Sequence, residues 1–466
     1  MSLRLYDTAR REIVPFNPPH TVRMYVCGIT PYDSTHLGHA ATYINYDLLI
    51  RRLEDLGHEV RMVRNITDVD DSILPKAREL GVPYLELADA ETARFRSDMA
   101  ALDLRPPVAE PRATDAVPEI IECVGQLLDK GNAYLSGGSV YFDVSTFPNY
   151  GKLSHYPEDR MVKLARARGG NPDDPHRRAP LDFVLWQPSL ADEPAWRAPY
   201  GAGRPGWHIE CSCMVLHEHG PTIDLHGGGT DLIFPHHECE IAQAEAVTHE
   251  PFAHYWVHNG FVNLGKAKMS KSLGNTLTIR DILKRHDPEA LRLWILGTHY
   301  RHLLEWSEER VEEAARALGR LTRLVDDAAG LGAPAPSLPS AYAGFAARFT
   351  GAMDDDFNTP QALGVLFDFA RALSEHRDRG LGAPESRADF VAGVAELVRL
   401  ARVLGLLQRG GAGGAPAEVA RLVDERAQAR AQRDFRRSDE LRAEIQRLGW
   451  LVEDTADGPR LTRKSS

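Results

Sequence analysis

Three groups of residues in this chain have the types and spacing to do chemistry. The first is His36-Leu37-Gly38-His39, placed after an apolar run, MYVCGI (24–29), and at the start of a stretch with helical spacing. A helix start offers unbonded backbone N–H groups and the positive end of the helix dipole, both of which attract phosphate. Gly38 permits close approach of a nucleotide, and two imidazoles can donate hydrogen bonds to phosphate oxygens. Two histidines at a helix start also serve as caps or surface groups, so this pattern does not decide alone. The second group is Lys268-Met269-Ser270-Lys271-Ser272. Two lysines three apart among small polar residues supply mobile cations without bulk. They suit a loop that closes over a triphosphate as charge builds on a departing pyrophosphate. An exposed basic loop would share the lysine spacing, but the full string is far more specific.

The third group is WHIECSC (207–213) with HGGGTDLIFPHHECE (226–240). His236 and Glu240 are four apart and share one face of a helix, whereas His237, Glu238 and Cys239 point elsewhere. A zinc site needs about four N, S or O ligands. Cys211, at the end of a strand-like segment, offers a third, and Cys213 has the same strand parity and competes for the role. Cys27, where the first strand gives out, is a packing residue, a nucleophile or a further ligand. A hydrogen-bonded cluster without metal is the competing account. The glycine run 227–229 follows another strand and would let backbone press against an adenosine.

Positioning these groups requires a scaffold, and the first half of the chain alternates strand-like and helical runs. MYVCGI (24–29) and EVRMVRNI (59–66) flank a helical stretch from Leu37 to Leu56 that stops at Gly57. That βαβ unit opens a doubly wound parallel sheet, whose ligands bind beyond the strand carboxyl ends. VYFDV (140–144), FVLW (183–186), TIDLHG (222–227) and HYWVHNGFV (254–262) are further strands. The predicted class is α/β, Rossmann-like, with residues 1–108 and 205–260 as two halves of one domain and 109–204 as an insertion. Residues 261–310 carry the lysine loop. Beyond about Asp287 the strands stop; Val311, Ala314, Ala315, Leu318, Leu321, Leu324 and Val325 mark one face of a helix opening an α-helical bundle over 311–408. RGGAGGAP (409–416) reads as a linker. Residues 417–466 form a small α+β module of two helices and the strand WLVED, with arginines 426, 430, 433, 436, 437, 442 and 447 among acids.

At 466 residues the chain is too long for one core, and its 43% apolar and 26% charged composition is that of a soluble globular protein. No apolar run approaches the ~20 residues of a membrane span, and the start of the chain lacks the apolar segment of a signal peptide, so a cytoplasmic protein is expected. Five cysteines are too few for a disulfide framework, which leaves reduced thiols. A net charge of −11 excludes indiscriminate nucleic-acid coating but not a local basic face.

The pairing of HLGH with KMSKS resembles the two signatures of class I aminoacyl-tRNA synthetases, with Leu37 in place of the usual isoleucine. YVCGITPYD, RNITDVDD (64–71), GRPGWHIECS (203–212), HGGGTDLIFPHHE (226–238) and AMDDDFNTPQAL (352–363) narrow the likeness to the cysteinyl-tRNA synthetases over essentially the whole chain. The resemblance implies that one zinc ion is held by Cys27, Cys211, His236 and Glu240 and takes the substrate thiolate as an added ligand. It implies that ATP, with Mg2+, meets Thr30, His36, Gly38, His39, Gly227, Gly228 and Lys271. Catalysis falls to His36, His39, Lys268 and Lys271, and cysteine contacts to Gly28, Thr67, Trp207 and Asp231. The partners implied are tRNA(Cys), ATP and L-cysteine, with the bundle on the tRNA stem, the terminal module on the anticodon, and a monomeric enzyme. One alternative is the mycothiol-pathway cysteine ligase, which THLGHAATY resembles and which passes cysteine to an amino sugar; it lacks an anticodon-reading module. Another is a non-catalytic tRNA-binding paralogue, which would be expected to have lost some of the ATP-site histidines and lysines.

Overall fold

The computed structural model describes residues 3–191, 193–264, 267–268, 277–408, 417–431, 434–448, 450–455 and 458–463. By its internal contacts the chain divides into two units. The first comprises 1–280, 295–307 and 351–360, and the second 281–294, 308–350 and 361–466.

The first unit is built on four parallel strands in the order Ala253–Asn259, Ile223–Gly229, Thr21–Ile29, Glu59–Ile66. Thr21–Ile29 lies inside the sheet. It buries Val22, Met24, Tyr25, Val26, Cys27 and Ile29, so it reads as a continuous apolar run rather than an alternating one. Its pairing with Glu59–Ile66 is regular through Val26↔Arg64 and resumes at Ile29↔Ile66. One extra residue is thus accommodated at Cys27-Gly28, a bulge of the kind that re-aims side chains at a sheet end. Gly28 is required there, because a Cβ would overlap the Asn65 carbonyl of the neighbouring strand. The helix Leu37–Asp55 returns the chain to Glu59, completing the expected βαβ unit.

The insertion forms its own antiparallel sheet, ordered Ala133–Ser136, Ser139–Phe142, Phe183–Gln187, Arg204–Pro205. Together with the helix Val117–Asp129 it encloses a core containing Phe142, Phe183, Leu185 and Trp186. That core also takes Cys213 and Cys239, so the insertion braces the two helices that follow it.

Two expectations about elements need correction. WHIECSC is no strand end: Trp207–His219 is a helix, capped by Gly206 and stopped at Gly220, whose φ is +82°. All seven residues from Ile209 to Val215 are buried, so the segment is shielded on every side and shows no helical stripe. A strand also lies past Asp287, Leu304–Glu305, which pairs parallel to Val262–Leu264, whereas the expected strand WLVED is present as Trp450–Thr455 and pairs with Gly458–Arg463 in a terminal hairpin.

The second unit is helical. Glu308–Ala328 buries Val311, Ala314, Leu321 and Leu324 of the expected face but leaves Leu318 and Val325 half-buried and Ala315 exposed, and Thr359–Arg379 and Pro384–Val403 follow. Glu289 is 8% exposed and accepts hydrogen bonds from the backbone N–H groups of Leu407 and Gln408 at 2.7 and 3.0 Å, which fixes the bundle's end. The linker 409–416 lies outside the described residues. The terminal helices Ala417–Ala431 and Phe435–Arg447 close over Val419, Leu422, Leu441, Ile445 and Val452. Of the module's arginines, Arg426 is buried at 2% exposure, Arg430, Arg436, Arg437, Arg442 and Arg447 are exposed, and Arg433 lies outside the described residues.

Candidate active site and metal centre

Helical geometry separates the two cysteines that strand parity could not. Residues two apart on a helix differ by roughly 200°. Cys211 accordingly turns inward to a cluster with Cys27, Tyr25 and Met214, while Cys213 faces Cys123 and the insertion core. The ligand atoms of Cys27, Cys211, His236 and Glu240 all lie within 4.8 Å of one another, and all four residues are buried. Cys27 comes from the bulge, Cys211 from the Trp207 helix, and Glu240 from the helix Glu238–Thr248. His236 lies in the turn that leads into that last helix, which is bent at Phe234 (φ −141°, ψ 134°).

The same bend contradicts one expectation. His237 does not point elsewhere: its Nε2 is 3.2 Å from Cys27 Sγ, and its Nδ1 is 2.8 Å from His258 Nε2. His226 adds its Nε2 at 2.7 Å from Glu240 Oε2, so Cys27, His226, His237 and Glu240 form a second, overlapping group of donors. Glu238 does point away, taking backbone N–H groups of Gly151, Leu153 and Ser154 and so tying the helix start to the insertion. Cys239 also turns away, with Tyr150 Oη 3.3 Å from its sulfur.

Charge is arranged around the cluster to suit a cation. The hydrogen bond from Cys27 and the nearby His236 outweigh burial and pull the Cys211 thiol down to about 6. Burial and its neighbours push Cys27 well up, which makes it the proton donor of the pair. Burial alone would discharge Glu240 and His236, but their mutual attraction, at 2.7 Å, prevails. Glu240 is held well below the carboxylate range and His236 is raised to about 10. Two sulfurs, an imidazole and a carboxylate are a zinc donor set. A tetrahedral zinc with bonds of about 2.0–2.3 Å spaces its ligands roughly 3.3–3.8 Å apart, within the spread seen here. The residues therefore fit the ion. Trp207 stacks on the His236 ring at 4.2 Å and 15°, and His208 Nδ1 meets His236 Nδ1 at 2.9 Å, so the imidazole is held from two sides.

His36 is the N-cap of Leu37–Asp55, and the two signature histidines cap each other's turn. His36 Nδ1 accepts from Gly38 N at 3.1 Å, and His39 Nδ1 accepts from His36 N at 3.3 Å, with the rings stacked 3.9 Å apart. A neutral imidazole that accepts at Nδ1 carries its proton on Nε2, so both rings become Nε2–H donors. Leu37 N donates to Leu277 O at 3.0 Å and Ile279 N to Thr35 O at 3.0 Å, which pins the residues following the lysine loop to this turn. Lys268 has its backbone in the strand Ala267–Lys268, and Lys271 lies outside the described residues.

The remaining expected contacts divide. Gly28 N donates to Asn65 Oδ1 at 2.8 Å, and Asn65 Nδ2 donates to the buried Thr67 Oγ1 at 3.0 Å, so one asparagine aligns both. Thr30 follows the bulged strand and is half-buried. Asp231 is exposed, just past the strand Ile223–Gly229. Gly227 and Gly228 are buried, and their missing side chains serve packing. A Cβ on Gly227 would strike the Tyr46 ring, and one on Gly228 would lie 2.8 Å from Leu232.

Comparison with known proteins agrees with this architecture. Residues 14–316 match the family model for the tRNA synthetases class I (C) catalytic domain, residues 348–408 the DALR domain, and residues 412–459 the cysteinyl-tRNA ligase anticodon binding domain. The cysteine–tRNA ligase of Geobacter sulfurreducens is 43% identical over 484 residues, covering 98% of this chain and 99% of the relative. That of Methylococcus capsulatus is 44% identical, covering 99% and 100%. The chain belongs to the cysteine–tRNA ligase family. Its fold is also that of the Mycobacterium tuberculosis methionyl-tRNA synthetase solved with methionyl-adenylate, at TM-score 0.62 and 18% identity over 83% of this chain and 91% of that one. No helix of the described residues is long and apolar enough to cross a membrane.

Within this cysteine–tRNA ligase fold, sequence reasoning missed several residues that shape the site. His226, His237 and His258 are brought in by tertiary packing, although the adjacency of His236 and His237 was a visible signal. Arg168 gave none. It lies at the end of the insertion helix Glu158–Ala167, and its guanidinium donates to the carbonyls of Asp231 and Phe234. It thereby fixes the loop between the strand Ile223–Gly229 and the His236 turn. Two charge-assisted bonds are worth ~1.5–3 kcal/mol each. Arg168→Ala is expected to raise KM for cysteine by about tenfold or more in ATP–pyrophosphate exchange, with KM for ATP unchanged; an equal rise in both would show a global role.

Proposed function

We propose that this cysteine–tRNA ligase selects its amino acid through the Cys27, Cys211, His236 and Glu240 cluster. It would activate cysteine at the turn formed by His36, Gly38 and His39. The observation that carries the reading is the convergence of four buried donors at the carboxyl ends of strands adjoining that turn. A zinc ion held by these residues would supply an open position for the substrate thiolate, which a serine hydroxyl fills poorly.

The chain's own residues do the rest by position. Trp207 holds His236 and walls the amino-acid pocket; Gly28, Thr67 and Asp231 receive the remainder of the cysteine. The cysteine carboxylate attacks the α-phosphate of ATP, with Mg2+ on the phosphates, and pyrophosphate leaves. His36 and His39 donate Nε2–H to phosphate oxygens as negative charge grows on them. Thr30, Gly38 and the backbone at Gly227 and Gly228 would border the nucleotide, and Lys268 and Lys271 would neutralise the leaving group. A terminal ribose hydroxyl of tRNA(Cys) then attacks the carbonyl of the cysteinyl-adenylate, forming the ester as the anhydride bond breaks and AMP leaves with the hydroxyl proton released. No protein nucleophile is needed.

The described helices of the second unit would grip the tRNA stem, with exposed arginines of the terminal module meeting RNA phosphates. That module is the feature by which tRNA, rather than an amino sugar, is read as the acceptor. The test is cysteine-dependent ATP–pyrophosphate exchange followed by transfer of labelled cysteine. Transfer to tRNA supports the reading, and transfer to a glucosaminyl-inositol alone refutes it.

A further inference from the structure

Beside the metal-capable cluster lies a cavity of about 280 Å³, lined by both polar and apolar groups, with no assigned occupant. Its wall includes Arg11, Ser154, Tyr156, Thr230, His258 and Arg301, all within the first unit. Thr230 and His258 place it at the carboxyl ends of two neighbouring parallel strands, where α/β sheets bind ligands. His258 closes one side: its Nδ1 lies 2.7 Å from Thr8 Oγ1, and its Nε2 meets His237, which in turn reaches Cys27. One histidine pair thus separates the cavity from the site that would hold cysteine.

Part of the lining, two arginines and a buried hydroxyl, has the chemistry to take an anion. Ser154 is 7% exposed, and its Oγ is buried with no hydrogen-bond partner, a hydroxyl whose burial is costly unless something completes it. Arg11 is exposed and forms no ion pair among the described residues. The Arg301 guanidinium lies 4.5 Å over the Tyr6 ring and is steered by Asp356 at 2.6 Å. Arg160 lies 3.8 Å from the Tyr156 ring centre. Cations and aromatic hydroxyls together suit a ribose-phosphate unit, with the tyrosines able to stack on or bond to it. The triphosphate end of the site, at His36 and His39, follows the strand Thr21–Ile29. The cavity lies towards the sheet's Ala253–Asn259 edge, separated from that strand by Ile223–Gly229.

We propose that this cavity receives a terminal nucleotide of the tRNA acceptor strand and holds its phosphate between Arg11 and Arg301. It rests on the tRNA-charging reading above. The acceptor end then enters from the side opposite ATP and brings its ribose towards the activated cysteine without displacing the nucleotide.

The test uses the full-length enzyme and an acceptor-arm minihelix, so that anticodon contacts cannot mask the effect. Arg11→Ala and Tyr156→Ala are each expected to lower kcat/KM for minihelix charging by about tenfold, the worth of one charge-assisted or stacking contact. Arg11→Lys is expected to recover part of the loss. Cysteine-dependent ATP–pyrophosphate exchange, which uses no RNA, should stay within about twofold of the unsubstituted enzyme and confirms that the variants fold. Unchanged charging overturns the proposal, as does a raised KM for ATP in exchange, which would assign the cavity to the triphosphate. Absence of exchange in the unsubstituted enzyme would instead overturn the parent reading of cysteine activation.

Discussion

Cys211→Ser is expected to remove the bound metal and lower kcat/KM for cysteine in ATP–pyrophosphate exchange by about a thousandfold, whereas Cys213→Ser should leave both nearly intact. The contrast follows from the helix Trp207–His219, which turns the two thiols to opposite sides. Cys211 is a ready ligand because Cys27 and His236 draw its thiol down to about 6. Serine in its place offers a hydroxyl that stays protonated near neutral pH and binds zinc weakly. Losing one thiolate ligand forfeits several kcal/mol of metal and substrate binding, and ~4 kcal/mol corresponds to about a thousandfold. Metal content by elemental analysis and exchange kinetics would be read on the same preparations. Equal metal loss in both variants would show that the helix, rather than the ligand, is being disturbed.

His36→Asn should separate the capping role of His36 from its proposed role toward phosphate. Asparagine is a strong N-cap, and its Oδ1 can take the Gly38 N–H now accepted by His36 Nδ1. The start of Leu37–Asp55 is therefore preserved, and unfolding in urea should change by less than about 1 kcal/mol. What asparagine lacks is a ring Nε2–H donor. If that donor faces phosphate oxygens during adenylate formation, kcat for exchange should fall by about 10²- to 10³-fold, the typical cost of one preorganised donor. A fall in stability matching the fall in rate would mean that His36 is a cap and nothing more.

Much of the site was legible because local chemistry announced it. An apolar strand ending in Cys27-Gly28 and two histidines about a glycine are short-range patterns, and the structure gives each the element expected. Cys211 was harder. Its helix is buried on all sides, so the period that marks a surface helix is absent, and strand parity left Cys213 as an equal candidate. His237 was misplaced because ideal helical spacing was carried back through residues where the backbone bends at Phe234. Gly227 and Gly228 read as a bare glycine run in one dimension, and the packing of Tyr46, Leu232 and His237 against them has no local signal. Arg426 stands in an arginine-rich stretch with nothing local to set it apart, and the fold buries it. In each case the deciding contact comes from residues distant in sequence, which periodicity cannot register.

Cobalt substitution shows directly whether the four donors read the substrate's sulfur. Cobalt(II) in place of zinc reports each thiolate ligand through its sulfur-to-metal charge-transfer absorption. About one cobalt per chain is expected, with an absorption that rises when cysteine is added and does not rise with serine at the same concentration. An absorption that cysteine leaves unchanged while cysteinyl-adenylate still forms would contradict the proposed selection, because the four buried donors would then have no part in reading the substrate's sulfur.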